Sequence, residues 1–197
     1  VLVGSGPSLL IAFAGIVIAL CIGISVGTTA AVRGGMVERA VLSLIEIKLA
    51  FPTVLFAIAI IGIFGTSIFN LIVVVGITSG VTLARIQRVV IVRTLSEPYI
   101  EAATILGSSQ FRLVWRHLLP NVLSSMMILS TQNLAWIILL EASLSYLGLG
   151  VQPPLPSWGR MVAEGQAYLA THWWLSIAPG LVIMLTSLSI ARIGDWL

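Results

Sequence analysis

Few residues in this 197-residue chain could do chemistry, and their spacing removes most of the options. Gly23-Ile24-Ser25-Val26-Gly27 matches the G-x-S-x-G pattern of a nucleophile elbow, but a serine nucleophile needs a base within hydrogen-bond reach. The two histidines, His117 and His172, fall at opposite boundaries of the apolar runs described below, so neither is placed to serve Ser25. Small residues at this spacing let helices pack closely instead. Cys21 is the single cysteine, which excludes an internal disulfide, and no Cys or Asp stands near either histidine to complete a zinc site. Lys48 is the single lysine, and Leu42 to Ile47 before it contain no glycine. The phosphate-cradling G-x-x-x-x-G-K-[ST] loop is therefore absent, and the chain does not hydrolyse ATP by that route. No catalytic residue, metal ligand or resident cofactor is assigned.

Of the residues, 58% are hydrophobic and only 9% charged, with a mean hydropathy of +1.11. Soluble domains carry about 25% charged residues to keep their surface wetted, and this chain lacks them. Its ten basic and seven acidic side chains leave Val1–Val32, Leu49–Ala84, Leu118–Leu140 and Gly165–Ala191 free of charge. Each window can cross a bilayer, which takes roughly 20 residues. As one straight helix the second would run about 54 Å against a hydrocarbon core of about 30 Å, so it folds back near Gly62–Asn70. The result is an all-α membrane bundle with five spans, over about 9–32, 45–64, 68–84, 121–140 and 174–193. Pro52 kinks the second of these or sits in its first turns, and Pro179 lies near the start of the fifth.

The arginines orient the bundle. With 85–120 cytoplasmic, all basic residues except Arg160 lie inside or at the inner boundary, a strong positive-inside bias that favours topology over nucleic-acid binding as the use of the +3 charge. Glu46 and Lys48 read as an inner-interface pair with a snorkelling lysine. Within the inner loop, Ser96 is an N-cap candidate for a short helix. Pro98, Glu97 and Glu101 fill its first turn, and Gly107 takes the left-handed C-cap. A second helix restarts at Ser108-Ser109 with an apolar stripe through Phe111, Val114, Trp115 and Leu118. The 142–173 segment, with its Gly148–Gly150 and Pro153–Pro156 breaks, forms a structured extracytoplasmic loop or lid.

Three polar residues sit in unusual places. Gln132 and Asn133 lie roughly 18–20 Å along a helix from Pro120, near mid-bilayer, where polar groups turn to the bundle or to a wet pathway. They either form an interhelical hydrogen bond or touch passing substrate. Glu141, at the outer end of that span, either lines the pathway or rests in interfacial water.

The spacing Glu101-Ala102-Ala103, Gly107, Leu118-Leu119-Pro120 resembles the coupling motif of binding-protein-dependent ABC importer permeases. Ala50-Phe51-Pro52, Glu141 through Pro154, Pro156 through Gly159, and Pro179-Gly180 extend the resemblance over nearly the whole chain, to the oligopeptide, dipeptide and nickel permease branch of second-permease type. The resemblance implies about six spans, one lying N-terminal to the five here, in keeping with a chain that opens at Val1 as a segment of a longer protein. It implies a prokaryotic cytoplasmic-membrane location, a second and usually different permease, two cytoplasmic ATPases carrying ATP and Mg2+, and an extracytoplasmic substrate-binding protein. Glu97, Glu101, Ala102, Ala103, Gly107, Leu118 and Pro120 would then couple to the ATPase, and Gln132, Asn133 and Glu141 are pathway candidates. Di- or oligopeptides are the implied substrates; nickel chelates, glutathione and oligosaccharides are alternatives within the same architecture. An ion-driven secondary transporter is disfavoured by the scarcity of membrane-embedded acids.

Overall fold

A computed structural model describes residues 1–196, and these are helical with no strand among them. Helix α1 (Leu2–Arg33) ends at Gly34, whose φ of 60° stops the helical ladder, and α2 (Gly35–Ala50) follows at once. Next come α3 (Thr53–Phe64), α4 (Ile68–Leu95), α5 (Pro98–Ile105) and α6 (Gln110–Leu113). A π turn, Val114–Leu118, joins α6 to α7 (Leu119–Tyr146). The chain closes with α8 (Trp158–Gly165), a 3-10 turn, α9 (Leu169–His172) and α10 (Trp174–Trp196).

Two expected spans are redrawn. The helix expected over 45–64 is two helices, α2 and α3, meeting at 95°. Phe51 is forced into extended backbone (φ −93°, ψ 136°) by the proline after it, and Pro52 brings no N–H to the ladder, so the turn breaks instead of kinking. The fold-back expected between Gly62 and Asn70 does form. Gly65 takes φ 84°, Ser67 Oγ caps α4 by accepting from the Asn70 N–H at 3.0 Å, and Asn70 Nδ2 donates to the carbonyls of Phe64 and Gly65 at 2.8 and 2.9 Å. Helix α4, expected to stop at residue 84, continues through Arg85, Arg88 and Arg93 to Leu95. No breaker intervenes before Pro98, and two of its polar side chains reach neighbouring helices. Gln87 Nε2 donates to Thr28 Oγ1 at 3.3 Å, and the Arg88 guanidinium pairs with Glu38 of α2.

The core runs along α1, α4 and α7, through Ile11, Ile16, Leu71, Val75, Leu83, Ile137, Ile138 and Leu144. Helices that are apolar all round gain little from burying one face against lipid-like neighbours, so close contact decides the pairing. Helices α1 and α4 meet through small residues. A Cβ at Gly23 would lie 2.7 Å from Leu83 Cβ, and one at Gly76 2.7 Å from Ile18 Cβ. The G-x-S-x-G stretch is part of this seam. Ser25 itself points away from it and donates back to the Cys21 carbonyl at 2.6 Å, so it is no activated nucleophile.

Candidate functional site

The 96–120 segment builds one projecting unit. Pro98 opens α5 and imposes extended backbone on the residue before it, so the N-cap position falls to Glu97 (φ −76°, ψ 138°). This corrects the expected Ser96 cap. Ser96 closes α4 instead, with its hydroxyl donating to the Val92 carbonyl at 3.2 Å. At the other end Gly107 has φ 82°, its N–H reaches the Thr104 carbonyl at 3.0 Å and the Ser108 N–H reaches Ala103 at 3.1 Å. This bond pair is a Schellman cap, which requires the left-handed residue expected at Gly107. Ser109 then caps α6 through the Arg112 N–H at 3.4 Å. The π turn that follows widens the helix just before Pro120, which cannot donate to the Arg116 carbonyl, so Gln110 to Tyr146 continues as one rod.

What seats α5 is an inner cluster of Ile91, Ile100, Leu113, Leu118, Val122 and Met126. Asn121 Nδ2 donates to the Tyr99 hydroxyl at 2.7 Å, adding a polar tie. Ile100 is only 2% exposed, so Ile100→Ala should cost about 2–5 kcal/mol locally. The expected outcome is faster proteolytic cleavage within 95–110 while the remaining helices stay protected. Beside the cluster lies a cavity of about 380 Å3, lined by Val32 and Leu95 with Ser96, Glu101, Thr104 and Gln110.

The unit's outward surface differs from the expected stripe. Glu97, Glu101 and Ala102 are exposed, Ala103 is half-buried and Gly107 is exposed, so these five are brought together. Leu118 is buried beneath α5 as part of its seat, and Pro120 is exposed on the rod. Phe111 and Trp115 turn outward and stack on each other at 6.0 Å instead of packing with Leu118. Sequence reasoning missed Ile105 and Leu106, which are 79% and 85% exposed beside the elbow. The signal was available: with Ile100 as the inward residue, positions five and six further on rotate by about 140° and 240° from it.

The other candidates separate. Gln132 is exposed and its Nε2 reaches Asp195 Oδ1 at 3.4 Å across to α10, while half-buried Asn133 donates to the Leu129 carbonyl of its own helix at 2.9 Å. Glu141 is enclosed within this chain. It is 0% exposed, against Ser145. Among the described residues the ion pairs are Arg88–Glu38 and Arg160–Glu164, so the expected Glu46–Lys48 pair does not form. Lys48 Nζ turns to Thr53 Oγ1 at 3.5 Å across the Pro52 break.

Residues 15–197 match the family described as binding-protein-dependent transport system inner membrane component. The chain belongs to this family. Among the described residues four helices are long and apolar enough to cross a membrane, or five if α2 and α3 are one broken span. The chain is 35% identical to the di/tripeptide transport system permease protein DppC of Pseudomonas aeruginosa, over 98% of this chain and 64% of that protein. It is 33% identical to the glutathione transport system permease protein GsiD of Pectobacterium atrosepticum, over 100% and 65%. To the oligopeptide transport system permease protein OppC of Haemophilus influenzae it is 32% identical, over 99% and 63%. The chain thus spans just under two thirds of the length of these relatives. Its fold is that of a chain in the inward-facing MetNI methionine ABC transporter, with a TM-score of 0.80 at 18% identity over 98% of this chain and 91% of that one. An amino acid ABC transporter chain aligns with a TM-score of 0.74 at 16% identity, over 96% and 88%.

Proposed function

We propose that the chain is a permease subunit of an ATP-driven importer of di- or oligopeptides. It forms half of a pathway with a second permease and receives work from cytoplasmic ATPases, which hold the ATP and Mg2+. Substrate arrives from an extracytoplasmic binding protein. The observation that carries this reading is α5 with its Schellman elbow: a short capped helix, seated on an apolar cluster, offering two acids without an ion-pair partner among the described residues and two small alanines beside exposed Ile105 and Leu106. Such a knob suits a groove on a rigid partner, because closed turns transmit displacement where a loose loop would absorb it. Peptides are favoured among substrates by the names of the relatives DppC and OppC, and glutathione, itself a small peptide, is the second reading.

Glu101→Lys tests the coupling role. A reversed charge on a docking surface opposes the partner's basic groups, and like charges in contact cost several kcal/mol. Uptake into proteoliposomes holding the assembled transporter should fall about tenfold or more, with ATPase turnover decoupled from it. Normal coupled uptake would remove α5 from the role. Uptake by this subunit without ATPase or binding protein would instead support an ion-driven transporter.

A further inference from the structure

A cavity of about 530 Å3 lies between α1 and the inner part of the Gln110–Tyr146 rod. Its α1 wall begins at Val17, midway along the helix, and ends at Thr29, one turn before Arg33 closes α1. At 1.5 Å per residue that wall is about 18 Å long. One leaflet of hydrocarbon, half of about 30 Å, is about 15 Å deep. The cavity thus has the depth and direction of a single acyl chain. Toward the middle of α1 its wall is apolar, through Val17, Leu20 and Ile24. Ser25 also faces it, but the Ser25 hydroxyl is spent on the Cys21 carbonyl at 2.6 Å, so hydrocarbon can lie against it without leaving a donor unmatched.

The mouth of the groove has the opposite chemistry. Val17, Cys21, Ser25 and Thr29 follow one i+4 ridge of α1, and the next residue on that ridge is Arg33. On the facing wall Trp115 lines the cavity and is 61% exposed. Arg116 is next to it in the chain, and Arg112 stands one turn earlier on the same side. All three arginines are exposed, and none has an ion-pair partner among the described residues. Guanidiniums and an indole at one end of an apolar slot suit an anionic headgroup at the level where hydrocarbon meets water.

We propose that this groove binds one anionic phospholipid of the adjoining leaflet, with an acyl chain along Val17–Ile24 and its phosphate held by Arg33, Arg112 and Arg116. The groove and its charges stand on geometry; that the leaflet is the cytoplasmic one rests on the importer reading above. A zwitterionic lipid could lay the same chain in the slot, but its own cation would oppose the arginines, so the headgroup's net charge decides the occupant.

The test uses the assembled transporter in detergent, stripped of lipid and titrated with a phosphatidylglycerol whose acyl chain carries a photoactivatable diazirine. After irradiation, mass spectrometry of the peptides locates the label. Residues 17–29 should be labelled at lower lipid concentration than any other exposed helix face. Unlabelled phosphatidylglycerol at about ten times its Kd should reduce that label about tenfold, because roughly one groove in eleven then remains open to the probe. Phosphatidylcholine at the same concentration should leave the label nearly unchanged. Arg33→Gln and Arg116→Gln should each raise the half-labelling concentration about fivefold, the factor for about 1 kcal/mol per basic residue. Label spread evenly over exposed apolar faces overturns the site, since it reports bulk contact only. Equal competition by the two lipids, or half-labelling unmoved in both glutamine variants, overturns the choice of an anionic headgroup. Residues 17–29 left unlabelled while other faces react would mean that a helix of another segment or subunit covers the groove, which overturns the lipid reading. The assay needs neither ATP nor binding protein, so a failure of the importer reading leaves its result standing.

Discussion

Gly107→Val is expected to cut ATP-driven uptake about tenfold or more while the amount of protein inserted in the membrane stays unchanged. Gly107 holds φ 82°, and a Cβ there would meet nothing within 4 Å. The penalty therefore comes from the backbone: a left-handed residue with a Cβ costs about 1–2 kcal/mol, and β-branching adds to it. That energy is released by opening the Schellman turn, which separates α5 from α6. About 1.4 kcal/mol corresponds to a tenfold shift in population, so the ratio of correctly angled to opened α5 falls about tenfold or more. The seat formed by Ile100 and Leu118 is not touched, so the bundle assembles. Gly107→Asn, which tolerates this region, should keep most of the uptake. Paired uptake and ATPase assays on the assembled transporter decide the matter, and full uptake with valine would show that the elbow carries no coupling.

The second large effect is predicted at Gly27, where Gly27→Val should prevent α1 and α4 from closing. A Cβ there would stand 2.6 Å from the Ala84 carbonyl oxygen and 2.7 Å from Gln87 Cβ. A carbonyl oxygen within a helix cannot rotate aside, so the two helices must separate. Separation also breaks the buried Gln87–Thr28 hydrogen bond. Overpacking of this kind costs about 1–3 kcal/mol, and about 2–4 °C of Tm is lost per kcal/mol in a chain of this size, before the unmatched glutamine is counted. The purified protein in detergent should melt up to roughly 10 °C lower. Gly180→Ala is the control, since a Cβ there meets nothing within 4 Å; its Tm should stay within a degree or two of wild type. Equal Tm values for Gly27→Val and wild type would mean that α1 and α4 do not pack as described.

Much of this was legible in the linear chain because it depends on local rules. Charge-free windows mark helices that can cross a bilayer, since burying a charge in hydrocarbon is costly. A glycine nine residues after a proline marks both ends of α5, since proline suits the first turn of a helix and glycine the left-handed position that closes it. The Glu-Ala-Ala, Gly, Leu-Pro spacing led to the family that the comparison over residues 15–197 shows.

Tertiary structure decided what periodicity cannot. Helices apolar on every side carry no stripe to say which face is inward, so the close α1–α4 seam came from packing, and packing likewise split the stripe read through Phe111, Val114, Trp115 and Leu118, burying Leu118 and turning Phe111 and Trp115 outward. The 95° break at Pro52 was open to a kink or a first-turn proline until the Phe51 backbone and the Lys48–Thr53 contact settled it. Glu141 is the clearest case. Read along the chain it is an acid at the end of a span, where water is the natural solvent. Its actual partner is Ser145, whose hydroxyl also takes the Val151 N–H, and only the folded chain could leave that carboxyl with no exposed surface.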